Sequence, residues 1–210
     1  MAYQSSEHQP PVLVFDLGGV LCSFSTERRL AAFADACGSS PDELKLLLED
    51  SRLIHMADRG QLDLQSEYRL ATSVFGLECD YPTYRALWCS ALQVNAEVIE
   101  IARALGRRHQ TAILTNNGPV LLDALRHDLK AVGECFDHLF VSAMFGAIKP
   151  AEEVFRGVER ELGVASNRLL LIDDSEANVA GARRCGWHAI RFTSAQQLRE
   201  DVRLLLQVAP

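Results

Sequence analysis

Val12-Leu13-Val14-Phe15-Asp16-Leu17-Gly18-Gly19 decides how this chain is read. Four apolar residues are too few for a helix, and they stop at an acid followed by two glycines. The pattern fits a short buried strand with Asp16 at its carboxyl end. Pro10 and Pro11 close the polar stretch before it, MAYQSSEHQPP. Downstream, similar apolar runs occupy residues 111–115, 138–142, 169–172 and 187–192.

Helical patterns separate the later runs. Residues 95–105 place Val98, Ile101, Ala102 and Leu105 on one face, with Asn95 as the cap. Residues 118–130 carry Pro119 where a first helical turn accepts it; 152–162 end at Gly163, and 175–185 stop at Gly186. Apolar strands alternating with helices predict an α/β fold, a Rossmann-like parallel sheet with helices on both faces. Residues 22–91 break this rhythm, with several helical pieces and no convincing strand. Ser40-Pro41-Asp42-Glu43 is a capping box leading into Leu44, Leu47 and Leu48, and residues 65–75 and 81–92 are further helices. The expected organisation is therefore a core of residues 1–21 and 93–210, interrupted by a helical insertion of residues 22–92.

With 48% hydrophobic and 23% charged residues the chain has an ordinary globular composition, which argues against disorder. Its net charge of −7 disfavours nonspecific nucleic-acid binding, which needs a cationic footprint. The six cysteines form no CxxC pair and no zinc-finger spacing with histidine, so reduced thiols are expected. The amino terminus lacks the apolar core of a signal peptide, and no apolar run approaches the ~20 residues that span a bilayer. A cytoplasmic protein that binds neither membrane nor nucleic acid is expected, as monomer or homodimer.

Ligands of open parallel sheets bind beyond the carboxyl ends of the strands. Asp16 ends the first run, Thr115 and Asn116 the second, Asp173 and Asp174 the fourth; Lys149 follows the third in Ile148-Lys149-Pro150. These residues should meet at one sheet edge. Carboxylates within ~4 Å repel by ~4 kcal/mol per pair at an effective dielectric of about 20, so they need a cation. Oxygen-only ligation suits magnesium, which commonly also engages substrate phosphates. Lys149, the Thr115 hydroxyl and free N–H groups where a helix begins near Gly118 would bind phosphate oxygens. An ionised aspartate can attack phosphorus to give an aspartyl-phosphate that water reopens. Each residue also has a plain structural reading: Asp16, Asn116 and Asn117 as turn residues, Asp173 and Asp174 as a helix start, Lys149 as a surface cation. Gly18-Gly19 is no dinucleotide fingerprint, because the third glycine and the downstream acid are missing.

In this order, VFDLGGVL, ILTNN, IKP and LLLIDDSEAN resemble the four motifs of the haloacid dehalogenase superfamily, and the insertion resembles its small helical C1-type cap. The resemblance implies Asp16 as nucleophile and metal ligand, the Gly18 carbonyl as a second ligand, and Asp174 as the direct acidic ligand from motif four. Asp173 would act directly or through water, Asn178 would orient the acids, and Thr115 and Lys149 would hold the phosphate, with Asn116 beside them. The implied activity is a magnesium-dependent phosphohydrolase acting on a small phosphorylated metabolite such as a sugar phosphate. FDLGGVL is similar to the branch of glucose-1-phosphatase-type enzymes and the phosphatase domain of mammalian epoxide hydrolase.

One position departs from the family pattern. Its phosphatases usually carry DxDx, the second aspartate protonating the leaving oxygen, and here that place is Gly18. Loss of a positioned acid typically lowers the rate by ~10²–10⁴. Three readings stay open: a substrate with a good leaving group, a donor from the cap such as His55 or Tyr68, or dehalogenase-like chemistry that needs no acid. Asp173-Asp174 favours a phosphatase, since a dehalogenase holds no metal. An interaction protein built on the same fold is the remaining alternative. In the cap, Asp58-Arg59-Gly60 resembles a turn of this cap type, and Arg59 is a candidate for reaching the substrate.

Overall fold

The computed structural model describes residues 11–206; the polar tail read before Pro11 lies outside them. Five parallel strands form the main sheet: β1 (Val12–Phe15), β4 (Thr111–Thr115), β5 (His138–Val141), β6 (Leu169–Asp173) and β7 (His188–Arg191), in spatial order β5-β4-β1-β6-β7. β1 is central, with Phe15 level with Ile113 on one side and Ile172 on the other. The two-residue period of a strand divides its apolar residues between two cores. Leu13, Phe15, Ile113, Leu170 and Ile172 pack with α6 (Ala96–Gly106), α7 (Pro119–Ala124) and α11 (Ala195–Leu206). Val12, Val14, Ala112, Leu114, Leu169 and Leu171 pack with α9 (Glu152–Leu162) and α10 (Glu176–Arg184). Both faces of the sheet are thus covered, which is why its central strands β1, β4 and β6 are buried along their whole length.

Between β1 and α6 the chain forms α1 (Thr26–Cys37), α2 (Pro41–Ser51), α3 (Leu53–Asp58), α4 (Leu64–Phe75) and α5 (Tyr81–Cys89). Ser40 and Glu43 make the reciprocal capping bonds expected for α2. These helices bury a core of their own around Phe33, Leu44, Leu53, Phe75, Tyr84 and Trp88. Two corrections to the sequence reading arise here. The segment is not strand-free: β2 (Cys22–Phe24) pairs antiparallel with β3 (Leu92–Val94), so the chain leaves and rejoins the sheet domain side by side. Three residues per strand are too few to show a period. The helix expected over 118–130 ends at Ala124 and resumes as α8 (Lys130–Gly133). Gly133 packs so tightly on this break that a Cβ there would stand 2.1 Å from the Leu125 carbonyl oxygen.

Several polar contacts fasten the helical segment to the sheet domain. Arg85 pairs with Asp123 at 2.7 Å and with Asp128. Ser142 Oγ donates to the Asp58 carbonyl at 2.7 Å. Glu67, fully buried in α4, accepts the Val120 N–H of α7 at 3.1 Å through Oε2, while its Oε1 has no partner among the described residues. Burial pushes the Glu67 carboxyl up to about 7; the Val120 N–H pulls it down, Asp58 pushes it up and Arg29 pulls it down. Gly118 leaves room for this contact, since a Cβ there would stand 2.6 Å from Glu67 Oε2.

The seam has a pH signature. A carboxyl raised from 4.5 to about 7 keeps its proton in the folded chain where the unfolded chain has released it, so stability falls as pH rises through that window. Glu67→Gln retains an acceptor for Val120 and removes the buried charge. Urea unfolding from pH 4.5 to 7.5 should show wild type weakening relative to Glu67→Gln, by up to about 3 kcal/mol at the upper end.

Candidate active site

Three adjacent strands deliver the site residues. Asp16 follows β1, where its N–H donates to the Ile172 carbonyl at 2.9 Å; Thr115 ends β4 and Asp173 ends β6. The Lys149–Pro150 peptide is cis. Lys149 Nζ reaches Asp16 Oδ1 at 3.0 Å, Asp173 Oδ2 at 2.7 Å and the Leu114 carbonyl at 2.8 Å. The ammonium is 2% exposed, and its three donors have three acceptors. Burial alone would lower its pKa, yet the two carboxylates outweigh burial and hold it above the ordinary lysine value.

The carboxylates are not equivalent. Asp173 is fully buried and saturated: Oδ1 accepts from Ser175 N–H at 2.9 Å and Asn178 Nδ2 at 3.0 Å, Oδ2 from Lys149 and from Asn178 at 3.1 Å. Asp16 accepts the Leu17 N–H at 2.7 Å and Lys149 through the same Oδ1, and Oδ2 accepts nothing from the described residues. Burial pushes the Asp16 carboxyl up to about 6; Lys149 pulls it down and Asp173 pushes it up again. Asp174 is exposed, raised by burial and by Asp173, and lies against the loop after β1. Gly19 there has φ +83°, and a Cβ would stand 2.2 Å from Asp174 Oδ2, so only glycine fits both demands. Asp16, Asp173 and Asp174 bring one carboxylate oxygen each within 4.8 Å of one another.

Asp16, Gly18, Thr115, Asn116, Lys149, Asp174 and Asn178 all line one cavity of about 480 Å³. Several of the expected groups have further partners or another place. Asn116 lends its amide to the lysine loop, Nδ2 donating to the Lys149 carbonyl at 3.0 Å and Oδ1 accepting the Lys149 N–H at 2.8 Å. The helix start near Gly118 does not offer all its N–H groups to an anion, because Glu67 takes that of Val120 and Ser142 Oγ that of Asn117. Among the cap candidates, Arg59 and His55 line a neighbouring cavity, and the Tyr68 hydroxyl donates to the Cys79 carbonyl. Thr115 Oγ1 accepts from Asn117 Nδ2 at 2.9 Å, which leaves its own proton to donate.

The wall facing the sheet comes from the helical segment: Phe24, Arg29, Ile54, Asp58 and Trp88. Sequence reasoning missed Arg29 and Asp58. Arg29 is 5% exposed, its guanidinium 4.0 Å above the Trp88 ring centroid and its Nε donating to the Trp88 carbonyl at 3.1 Å. Burial lowers its pKa to about 10, so it stays charged at neutral pH. Its signal lay in the helical period: Arg29 falls four residues before Phe33, on the buried face of α1.

A family model for haloacid dehalogenase-like hydrolases matches residues 10–186. The chain belongs to that family. Over 92% of its length this haloacid dehalogenase-like hydrolase is 18% identical to D-ribitol-5-phosphate phosphatase of Bacteroides thetaiotaomicron, covering 97% of that protein. A stretch covering 53% of the chain is 31% identical to rat bifunctional epoxide hydrolase 2, matching 21% of that longer protein. The fold matches a family enzyme from Bacteroides thetaiotaomicron solved with magnesium and inorganic phosphate, with a TM-score of 0.70 and 19% identity over 88% of this chain and 94% of the other.

Lys149 is therefore both ion-pair partner and structural keystone of this hydrolase. Lys149→Met would leave Asp16 and Asp173 buried without their cation. Urea denaturation at pH 7.5 should show a loss of about 3–5 kcal/mol.

Proposed function

We propose that the chain is a magnesium-dependent phosphohydrolase that attacks a small phosphorylated metabolite with Asp16. The observation that carries this reading is a charge deficit. Asp16, Asp173 and Asp174 bring three negative charges within 4.8 Å, and Lys149 contributes one positive charge. The remaining two match one divalent cation. The donor set fits magnesium, because every ligand on offer is oxygen. Asp16 and Asp174 would hold the ion with the Gly18 carbonyl, while Asp173, whose lone pairs already meet protein donors, would act through water and fix Lys149. Asn178 orients Asp173 through two hydrogen bonds.

When bound, magnesium neutralises the repulsion between a carboxylate and a phosphate. The protein's own groups do the rest. Lys149 and the Thr115 hydroxyl bind the phosphoryl oxygens as charge builds on them. Asp16 attacks phosphorus as the bond to the ester oxygen breaks and the alcohol leaves; water then attacks the aspartyl-phosphate, its bond to Asp16 breaks, and phosphate departs with the carboxylate restored. Residues 22–92 are the cap over this cavity, and about 480 Å³ suits a small metabolite. A polyol or sugar phosphate is supported by the Bacteroides relative named for D-ribitol-5-phosphate. The local match to rat epoxide hydrolase 2 supports the branch read from FDLGGVL.

Dehalogenase chemistry fits less well, since without a cation the motif-four carboxylates would stand uncompensated beside the nucleophile. An interaction protein would have no use for a buried Asp16 held by Lys149. Phosphate release from sugar, polyol and aryl phosphates tests the reading. Activity should require magnesium, vanish with EDTA and return on adding the metal. Asp16→Asn should lower kcat by at least about 10³ while the fold is kept. Metal-independent turnover of 2-haloacids would sink the phosphohydrolase reading.

A further inference from the structure

Asp58 ends α3 on the cavity wall opposite the strand ends, in the same cavity as Asp16, Gly18, Thr115 and Lys149. Its main chain is held from the sheet domain. Ser142 Oγ donates to its carbonyl at 2.7 Å, and two residues on, Gly60 has φ +67° where a Cβ would stand 2.2 Å from the Ala143 carbonyl oxygen. The carboxyl itself has no hydrogen bond and no ion pair within 4 Å among the described residues. Arg29 and Arg59 act on it only at longer range. The carboxyl is half-buried and lines the cavity, so it is open to a ligand there and no protein donor competes for it.

That site has a vacancy in its chemistry. Gly18 cannot donate a proton, and Tyr68 is engaged with Cys79; His55 lines only the neighbouring cavity, whereas Asp58 lines both. We infer that Asp58 is the general acid–base of the reaction, a catalytic residue supplied by the cap in place of the acid missing at Gly18. The inference rests on the phosphohydrolase reading. As Asp16 bonds to phosphorus, the bond from phosphorus to the leaving oxygen breaks and its electron pair stays on that oxygen. Asp58 gives that oxygen its proton and becomes a carboxylate. It then takes a proton from the water whose oxygen attacks the aspartyl-phosphate; the bond to Asp16 breaks, and phosphate leaves with Asp16 again a carboxylate. A group that alternates in this way works best when its two forms are close in energy. Burial pushes the Asp58 carboxyl up to about 6, against the pulls of Arg29 and Arg59.

Leaving-group dependence separates this role from packing or binding. Rates for wild type, Asp58→Asn and Asp16→Asn are measured with magnesium on phenyl, 4-nitrophenyl and 2,4-dinitrophenyl phosphate, whose leaving groups need a proton progressively less. Asp58→Asn should lose about 10²–10⁴ in kcat/KM on phenyl phosphate and less than about tenfold on the dinitrophenyl ester. Retained dinitrophenyl turnover also shows that the variant is folded. Equal losses on all three esters, or no loss on phenyl phosphate, overturn the inference. So does a wild type that cleaves only the dinitrophenyl ester, because it then lacks an acid. Asp16→Asn reports on the underlying reading separately: if it is inactive while wild type releases phosphate, that reading stands whatever Asp58→Asn does. If wild type cleaves none of them, both fall.

Discussion

A buried ammonium between two buried carboxylates is the constraint on which the site depends. Lys149 lies 3.0 Å from Asp16 and 2.7 Å from Asp173, and its third donor is taken by the Leu114 carbonyl. Bringing three charges out of water is tolerable only with such saturation. Much nearby structure serves to hold that lysine. Asn116 clamps its main chain from both sides, and Asn178 with the Ser175 N–H fixes the far carboxylate. Lys149 brings one positive charge to a group of three carboxylates, Asp16, Asp173 and Asp174.

The helical segment completes the chemistry. Its contacts with the sheet domain involve polar groups under burial: Glu67 on the start of α7, the Asp58 carbonyl on Ser142, and Arg85 between two acids. Satisfaction at this seam is imperfect, since Glu67 Oε1 has no partner among the described residues. Surfaces that open and close over a ligand are drawn from such marginal contacts. The segment brings Arg29 and Asp58 to the cavity of about 480 Å³ that Asp16 and Lys149 also line.

The sheet was legible because its central strands β1, β4 and β6 are buried on both sides, and the turn chemistry at Asp16-Gly18-Gly19, Gly163 and Gly186 marks where strands and helices stop. The acids, threonine and lysine at strand ends were legible for the same reason: polar residues that interrupt an apolar run announce its carboxyl edge. The three-residue hairpin of β2 and β3 was not, being shorter than any period, nor was the break after Ala124, which depends on how Gly133 meets Leu125. In the helical segment, sequence reasoning favoured Arg59, His55 and Tyr68 because of their chemistry. Position favours Arg29 and Asp58, because the angle at which α1 and α3 approach the sheet decides which side chains see the cavity.

The sequence by itself determined the parallel α/β class, the strand-end residues Asp16, Thr115, Asp173 and Asp174 with Lys149 in a following loop, and the absence of an acid at Gly18. Local periodicity and chain order suffice for these, since a parallel sheet carries its strand ends to one edge. Only the tertiary structure decided that Asp173 is saturated while Asp16 and Asp174 are not, that Asn116 serves the lysine loop, and that Asp58 lines the same cavity as Asp16. Those outcomes depend on distances between residues far apart in the chain, and no local pattern encodes such distances.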